Sequence, residues 1–422
     1  MREKSFRECV DATVGERVLL GRTSSGMAVR VAPTQRFRET SAVVTFGYGS
    51  TDLGFARNGA VHWSPEGVAH YLEHKLFEDE ELHVFERFGQ RGTQVNAMTG
   101  FGRTTYYFHG HGPLGPNLTD LLRLVSRAHL TEANVEKERG IIAQELRMYE
   151  DSPEYRGFFE LLRCLYAEHP VRNPVGGTVE SIQDIDVAEL EACYSAYYRS
   201  GNAGLCVAGP VDADEVLELA ESCDLAAGDA PRSECPDDLG PAPLTRGRCE
   251  MELARPRLLL GFKERSILAD ASERSRRDLV TRMYLDHLFG AASHVRQALH
   301  ERGVIDDSLS ASYTSERTFG FAVAACETED HERVTAELHE VLRAPVAIGD
   351  DDLERMRRKM LGRYVRGFES VQHVAMEHAE EALLSVEPFE AIERMQGIRV
   401  DDIVARQQEL CRDDSFAAVV VG

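Results

Sequence analysis

The sequence lacks the features that mark membrane-spanning, secreted and nucleic-acid-binding proteins. No run approaches the roughly eighteen apolar residues of a membrane-spanning helix, so we expect no membrane span. The opening segment MREKSFRECVDATVGERV is charged throughout and has no apolar core, so we expect no secretory signal there. Basic residues are scarce: 48 Lys and Arg against 71 Asp and Glu leave a net charge of −23, which argues against nucleic-acid binding.

The nine cysteines indicate neither a disulfide framework nor a metal site built from sulfur. They are odd in number, are scattered along the chain and include no C-x-x-C pair. Reduced thiols of this kind are typical of a reducing compartment. We therefore expect a cytoplasmic protein.

The most informative stretch that is present is HYLEH at 70–74, which combines two imidazoles and a carboxylate. If residues 65–80 form a helix, His70 and His74 lie on one face, roughly 5–6 Å apart, and can share a metal ion. Glu73 stands beside that face and can act as general base toward a water at the metal. The order H-x-x-E-H is a known metallopeptidase motif. The alternative is that both are ordinary histidines of a helix surface or core.

The residues before the motif predict where its helix begins. Ser64 can act as the N-cap, and Pro65 can occupy the first helical position. This places the five motif residues about a turn and a half into the helix.

A catalytic zinc site needs a third protein ligand and an open position, and a later helix can supply the ligand. The segment 131–149 opens with a capping pattern from Thr131 to Asn134 and carries Glu138 and Glu145 two turns apart on one face. Its apolar side is predicted to consist of Ile141, Ile142 and Leu146. The alternative for either glutamate is a solvated side chain, which is the usual fate of a charged helix residue.

Between these helices, residues 93–110 predict a β-hairpin that turns at TGFG (99–102). A strand near the metal helix could pair its edge with an extended peptide. It could equally be an inner strand of the sheet.

The order of predicted elements repeats along the chain, as strand, helix, strand, helices and strand in each half. We therefore predict two duplicated domains, 1–224 and 249–422, joined by a Pro- and Gly-rich linker at 225–248. The second half contains no H-x-x-E-H motif. His287 and His294 lie seven residues apart without a suitably spaced acid, and we interpret them as structural.

The chain resembles the pitrilysin-type (M16) zinc metallopeptidases over nearly its whole length. The resemblance is carried by HYLEH at 70–74, the pair Glu138 and Glu145, NAMT at 96–99 followed by TYY at 105–107, and the loop from His169-Pro170 to Gly177-Thr178. It implies an α+β fold of two duplicated domains, each an antiparallel-rich sheet covered by helices, that form half of a clamshell chamber. The chain is most similar to the short bacterial peptidases encoded next to a second, similar subunit.

The resemblance also implies a role for each matching residue. The zinc ligands would be His70, His74 and Glu145, with Glu73 as general base and Glu138 as an acid that orients the site. Asn96, Ala97 and Tyr106 would bind substrate, the first two on the strand whose backbone pairs with it.

The chain departs from the family pattern in its second half. Complete members carry an arginine and a tyrosine seven residues apart, which contact substrate and help to stabilise the oxyanion. At the matching positions this chain has His300 and Asp307. Losing such donors typically costs about 10²–10³ in rate each. A related M16-like subunit is therefore expected to supply the Arg/Tyr pair, with a homodimer as the other possibility.

These observations predict a cytoplasmic zinc-dependent endopeptidase that cleaves unfolded or short peptides inside a chamber. Metal-activated water would attack the scissile carbonyl, with Glu73 as general base. One alternative is a non-catalytic scaffold or assembly subunit with the same fold. Another is a zinc hydrolase that acts on a non-peptide substrate.

Overall fold

The computed structural model of the chain describes residues 6–57, 59–78 and 84–422. The strands are β1 (Arg7–Asp11), β2 (Glu16–Arg22), β3 (Ala28–Pro33), β4 (Thr40–Phe46), β5 (Gly54–Arg57), β6 (Ala60–Trp63), β7 (Thr93–Thr99), β8 (Thr104–Gly110), β9 (Ala203–Gly209), β10 (Ser233–Glu234), β11 (Arg246–Cys249), β12 (Arg257–Lys263), β13 (Ser310–Ser315), β14 (Gly320–Glu327) and β15 (Phe416–Val421).

The α-helices of the described chain fall between groups of these strands. They are α1 (Val68–Leu76), α2 (Val84–Gln90), α3 (Leu114–Ser126), α4 (Glu132–Glu150), α5 (Pro153–Leu165), α6 (Val187–Tyr197), α7 (Ala213–Glu221), α8 (Ala271–Phe289), α9 (His294–Glu301), α10 (His331–Arg343), α11 (Asp350–Gly367), α12 (Val371–Leu383), α13 (Glu390–Gly397) and α14 (Val400–Leu410). Within the described ranges, every helix is too short or too polar to cross a lipid bilayer.

The chain folds into two compact units, and unit 1 comprises the described residues of 1–146, 174–234 and 363–390. Its main sheet has seven strands in the order β1-β2-β3-β9-β4-β8-β7. All neighbours pair antiparallel except β3 and β9, which are parallel. A smaller sheet has the order β10-β5-β6. The predicted hairpin at 93–110 is confirmed as β7 and β8, and β7 forms an edge of the main sheet.

The central strand β9 shows how the sheet of unit 1 is stabilised. All seven of its residues are buried. Leu205 and Val207 face the core that α1, α3 and α6 also line. Cys206 and Ala208 pack on the opposite face against α12. Because helices cover both faces, this strand is a continuous apolar run without polar alternation.

Unit 2 comprises residues 147–173, 235–362 and 391–422. Its sheet has five strands in the order β11-β15-β12-β14-β13, with only β11 and β15 parallel among the described pairs. Helix α5 packs on β11, β12 and β15. The predicted α+β class is therefore confirmed, with a helix-covered, mostly antiparallel sheet in each unit.

The compact units do not follow the predicted linear division of the chain. Helix α5 lies within the predicted domain 1–224 but packs in unit 2, whereas α12 lies within 249–422 but packs on the sheet of unit 1. Sequence periodicity shows that a helix has an apolar face, but not which sheet covers that face. The domain boundaries 1–224 and 249–422, predicted from the repeated order of elements, remain a prediction.

The predicted linker at 225–248 is held by contacts within each unit. In unit 1, β10 pairs with β5. In unit 2, Asp238 accepts a hydrogen bond of 2.8 Å from the buried Lys263, and β11 pairs with β15. Composition alone predicts no regular structure here. The short strands β10 and β11 form because they pair with strands distant in sequence, and composition does not reveal such pairing.

Two predicted helices differ from the structure in their bounds. The motif helix, predicted at 65–80, is α1 at Val68–Leu76, and residues 79 and 80 lie outside the described ranges. For the second, the sequence pattern predicts one continuous helical stretch over 272–302, and this prediction is wrong because the chain turns between α8 and α9. There Ser293 acts as the N-cap of α9 and accepts hydrogen bonds from the amides of Val295 and Arg296.

Candidate metal centre

Helix α1 carries the motif residues, and a tight turn rather than a serine cap begins it. Gly67 precedes the helix with φ of 90°, and among the described residues no side chain caps the helix. The predicted cap at Ser64 is therefore wrong. The Ser64 amide donates to the Leu53 carbonyl, and its hydroxyl contacts Cys193 Sγ at 3.2 Å. The spacing of residues in the sequence could not show that Ser64 makes these contacts instead of capping α1.

A glycine loop lies against the start of α1 and the back of His70. A Cβ on Gly67 would lie 2.3 Å from the Gly176 carbonyl oxygen, and one on Gly177 would lie 2.5 Å from the Glu66 carbonyl oxygen. Gly176 lies beside the ring, where a Cβ would be 3.3 Å from His70 Nδ1. Side chains at these positions would push the loop away from the helix. The loop therefore fixes where α1 begins and how closely His70 is backed.

Helix α4 brings two acids to the motif. The capping pattern predicted at its start is confirmed. Thr131 Oγ1 accepts from the Asn134 amide at 3.2 Å, and Asn134 Oδ1 accepts from the Thr131 amide at 3.0 Å. The Tyr71 hydroxyl donates to the Val135 carbonyl, which ties α1 to the first turn of α4. The buried side of α4 includes Ile142 and Leu146, whereas Ile141 is 47% exposed. Its assignment to the apolar side of the helix was therefore wrong.

The structure brings His70, His74 and Glu145 close to the spacing that a tetrahedral zinc ion requires. Nε2 of His74 lies 3.4 Å from Glu145 Oε2, and Nε2 of His70 lies 3.8 Å from the same oxygen. One ligand atom from each of the three residues lies within 4.8 Å of the others. Zinc bonds of about 2.0–2.2 Å place tetrahedral ligands roughly 3.3–3.5 Å apart. The donor set fits zinc with a small contraction and leaves one coordination position open.

Glu138 orients His74 within this set. Its Oε1 lies 2.9 Å from His74 Nδ1, so the other ring nitrogen, Nε2, points toward Glu145. Burial raises the pKa of Glu138, but the hydrogen bond from His74 together with the charges of His74, Lys75 and Lys137 outweighs burial and lowers that pKa. A carboxylate on the outer nitrogen of a metal-binding imidazole is the arrangement that fixes ring orientation in metal sites.

The two histidines have opposite electrostatic environments. Burial and the neighbouring charge of His74 lower the pKa of His70 to about 4. Burial opposes the charged form of His74 as well, but hydrogen bonds to Glu138 and Glu145 outweigh it and raise the pKa of His74 to about 9. Metal binding requires a neutral imidazole, so a cation would replace the His74 proton between the two carboxylates.

Glu73 lies beside this cluster and has a different environment. The residue is 9% exposed, and its Oε2 accepts a hydrogen bond of 2.5 Å from the Thr99 hydroxyl. Burial raises the pKa of Glu73, and the bond from Thr99 opposes that shift. A buried carboxylate with a raised pKa next to a metal position is suited to proton transfer. Sequence reasoning missed Thr99 as its partner, although the residue ends the NAMT stretch.

Asn96 and Ala97 lie on the edge strand β7, three and two residues before Thr99 respectively. Asn96 is exposed and Ala97 is partly buried. Asn96 Oδ1 accepts from the Ala97 amide at 2.9 Å. An edge strand has backbone groups that can pair with a further strand. The question left open by the sequence, edge or inner strand, is thus settled as edge.

Tyr106 does not fit its predicted role in substrate binding. It lies on β8, whose backbone pairs with β4 on one side and β7 on the other. The residue is 0% exposed, and its hydroxyl lies 2.7 Å from the hydroxyl of Tyr198. Neither its backbone nor its ring faces solvent, so we correct its role to core packing and assign it no substrate contact.

The second-half residues considered from the sequence lie elsewhere, in unit 2. His287 is on α8, and His294 begins α9. His300, near the end of α9, and Asp307, in the following loop, are both exposed. Among the described residues, a cluster of three or more potential metal ligands is found only at His70, His74 and Glu145.

Two family models match successive parts of the chain. Residues 59–179 match the model described as "Insulinase (Peptidase family M16)", which spans the metal cluster. Residues 184–360 match the model described as "Peptidase M16 inactive domain". The division agrees with the confinement of the described metal cluster to residues 70–145.

Individual proteins are similar over most of the chain. The uncharacterized zinc protease YmfH of Bacillus subtilis is 32% identical over 410 residues, which cover 94% of this chain and 95% of that protein. A crystal structure described as an M16-like peptidase from Alicyclobacillus acidocaldarius is 34% identical with a TM-score of 0.90, covering 96% and 98%. The mitochondrial-processing peptidase subunit beta of Bos taurus is 29% identical over 160 residues, 37% of this chain and 33% of that one.

Proposed function

Because the chain belongs to the M16 peptidase family, we propose that it is a zinc-dependent endopeptidase acting on unfolded or short peptides. The observation that carries the proposal is the convergence of His70, His74 and Glu145 within 4.8 Å, with the buried Glu73 beside them. The name of the Bacillus subtilis relative, zinc protease, supports the choice of metal.

The proposed chemistry divides between the metal and the side chains around it. Zinc held by His70, His74 and Glu145 would supply a Lewis acid with one open coordination position. Glu73 takes a proton from the attacking water and later delivers it to the leaving amine. Its low exposure strengthens this role, because a carboxylate shielded from bulk water accepts a proton more readily. Glu138 holds the His74 ring and transfers no proton to substrate.

The edge strand β7 is the proposed seat of the substrate backbone. An extended peptide that pairs with this edge would run past Asn96 and Ala97 toward Thr99, the residue that contacts Glu73. Asn96 Oδ1 occupies the Ala97 amide at 2.9 Å, so a peptide carbonyl would replace that contact. Recognition through backbone groups suits unfolded chains, which offer unpaired amides, and gives little dependence on side-chain identity.

A second subunit completes the proposed active site. His300 and Asp307 occupy the positions where family resemblance places the Arg/Tyr pair, and neither side chain reproduces the forked, permanently charged donors of arginine or the hydroxyl of tyrosine. We propose that a related M16-like subunit provides the missing donors; a homodimer, the other possible assembly, would lack them because each copy carries His300 and Asp307. The partial similarity to a subunit of mitochondrial-processing peptidase supports pairing as a property of relatives. Nine free cysteines support a cytoplasmic site of action.

Metal analysis and cleavage of a quenched-fluorescence peptide library test the proposal together. The parent chain is expected to bind one zinc ion, and Glu145→Gln to lose it. Glu73→Gln is expected to keep zinc and lose cleavage by about 10²–10⁴-fold. A parent chain without zinc, or a Glu73→Gln variant with full activity, would contradict the assignment.

The pairing proposal has its own test. Cleavage by the purified chain is compared with cleavage by the chain mixed with a related subunit encoded in the neighbouring gene. We expect a marked rise on mixing, because two absent oxyanion donors cost about 10²–10³ in rate each. Equal rates would contradict the heterodimer and leave the zinc peptidase proposal intact.

A non-catalytic scaffold is the second candidate function. Its support is the match of residues 184–360 to a domain described as inactive, together with the missing Arg/Tyr pair. A scaffold would keep binding peptides or partners without cleaving them, with or without zinc. A zinc-loaded chain that stays inactive with its partner subunit would favour this function.

A further inference from the structure

The buried carboxylate of Glu73 obtains its hydrogen bonds from the edge strand β7. The Thr99 hydroxyl donates to Oε2 at 2.5 Å, and the Thr99 backbone also hydrogen-bonds the carboxylate. Within the described part of the chain, Thr99 is thus the residue that ties this carboxylate to the sheet. Glu73 carries three rotatable side-chain torsions, so its carboxylate has several alternative positions unless something holds it.

The alternation of β7 explains why Thr99 can reach α1. Side chains of Thr93, Val95, Ala97 and Thr99 share one face of the strand, and they are more buried than the residues between them. Helix α1 packs against β7. Thr99 ends the strand and thus lies where the strand passes the motif helix. An aliphatic residue of the same shape would fit there but could not donate a hydrogen bond.

The negative charge of Glu145 makes this contact more important. Glu73 lies beside Glu145, and like charges repel, so a Glu73 side chain that nothing held would turn away from the proposed metal ligands. The charge-assisted hydrogen bond of 2.5 Å from Thr99 opposes that movement. It holds the carboxylate, through Oε2, next to the proposed metal ligands.

We infer that Thr99 is a positioning residue for Glu73, linking the general base to the strand on which the substrate lies. This inference rests on the proposed function, because it gives Glu73 its role as base. Thr99 acts through Glu73 and is assigned no contact with the metal ligands or the reacting atoms. Because Thr99 follows Asn96 and Ala97 on β7, the strand that seats the peptide also sets the distance between peptide and base.

The experiment compares Thr99→Val with Thr99→Ser in the zinc-loaded full chain, together with its paired subunit where cleavage requires one. We expect Thr99→Val to lower kcat by about 10- to 100-fold with little change in KM or zinc content. Thr99→Ser keeps the hydroxyl and is expected to restore kcat to within a few-fold of the parent. A purely structural role would instead affect both variants alike or change KM and zinc content.

Thr93→Val is the matched control at the other end of the same strand. Thr93 Oγ1 accepts a hydrogen bond of 2.9 Å from Asn117 Nδ2 and lies six residues from Thr99. Its loss is expected to lower the thermal midpoint while kcat stays at the parental value. A matching fall in kcat for Thr93→Val would show that any weakening of β7 reduces activity, and would overturn the specific role of Thr99.

Crystal structures of the zinc-loaded parent and Thr99→Val give a readout independent of activity. The Glu73 carboxylate is expected to leave its position in Thr99→Val and to keep it in Thr99→Ser. An unmoved carboxylate, or parental kcat in Thr99→Val while Glu73→Gln is inactive, overturns the inference and leaves the proposed function standing. Activity retained in Glu73→Gln overturns the proposed function itself.

Discussion

Each unit of the chain contains a cluster of charged side chains with little exposure, and the two clusters differ in how their charges are satisfied. In unit 2, Arg406 pairs with Glu264 and donates to Thr281 at 2.7 Å, while Lys263 pairs with Asp238 at 2.8 Å. Positive and negative groups therefore alternate. The cluster is a closed structural network.

The cluster of unit 1 has an excess of negative groups and imidazoles. Glu73, Glu138 and Glu145 meet His70 and His74, and His74 contacts Glu138 at 2.9 Å. One donor atom from each histidine converges with Glu145 on a common point, where a cation would balance the charge. Burial of charge alone thus does not identify a site. An unbalanced set of converging donors does.

The largest expected effect is the loss of zinc binding when a ligand in unit 1 is replaced. His74→Ala removes one of three ligands and is expected to abolish zinc binding at micromolar metal and all cleavage, because changes to groups that only orient the ligands already cost about 10–100-fold in affinity. Zinc is measured in the purified variant by elemental analysis. The matched control is His294→Ala in unit 2, an exposed histidine outside the cluster, and it should keep zinc. Loss of zinc in both variants would end the distinction between the units.

The closed network of unit 2 is expected to affect stability and not metal. Arg406→Met leaves Glu264 as a buried charge without its main partner, and the free energy of unfolding should fall by about 3–5 kcal/mol. Urea unfolding measures this change, and zinc content should stay at one per chain. Arg412→Met removes an exposed contact to Asp414 and should change stability by less than about 1 kcal/mol. An equal fall in the free energy of unfolding for Arg406→Met and Arg412→Met would contradict the buried network.

The turn into α1 is expected to be sensitive to one methyl group. Gly67→Ala places a Cβ at φ 90° and 2.3 Å from the Gly176 carbonyl oxygen, so we expect a loss of about 2–4 kcal/mol and weaker zinc binding. Gly59→Ala is the control, because Gly59 has φ of 82° and the described part of the chain places no atom within 4 Å of its new methyl group. It should cost only about 1–2 kcal/mol of backbone strain. Thermal unfolding and zinc titration distinguish the two variants.

The smallest expected effect concerns the acid that orients His74. Glu138→Gln keeps the shape of the side chain and a hydrogen-bond acceptor but removes its charge, so zinc affinity should fall by about 10-fold and by no more than about 100-fold. Competition with a chelator measures the zinc dissociation constant. Glu136→Gln, at an exposed position on the same helix, is the control and should bind zinc as the parent does. An unchanged zinc dissociation constant in Glu138→Gln would contradict the role of Glu138 in orienting His74.

Much of the site could be predicted because it depends on spacing within single elements. His70 and His74 had to share a face once α1 formed, and Glu138 and Glu145 had to share a face of α4. The hairpin of β7 and β8 followed from turn residues between two β-prone runs. In each case the chain itself holds the residues at a fixed separation.

The errors and omissions concern contacts between elements. Ser64 is a good N-cap by type, but its amide bonds the Leu53 carbonyl and its hydroxyl contacts Cys193. Tyr106 is a substrate-binding residue by resemblance, yet pairing on both sides and core packing bury it. Thr99 is an ordinary strand residue until α1 lies across β7. No local pattern distinguishes these outcomes.

The sequence by itself determined that a two-histidine, one-glutamate motif lies on a helix, that an acidic helix follows, and that the fold is α+β; the division into two similar halves stays a prediction from the order of elements. Tertiary structure alone decided that Glu145 reaches both histidines, that Thr99 holds Glu73, and that α5 and α12 cover sheets far from their own sequence neighbours. The physical reason is range. Backbone periodicity fixes directions within about two helical turns, whereas contacts between elements depend on how apolar faces pack across the whole chain.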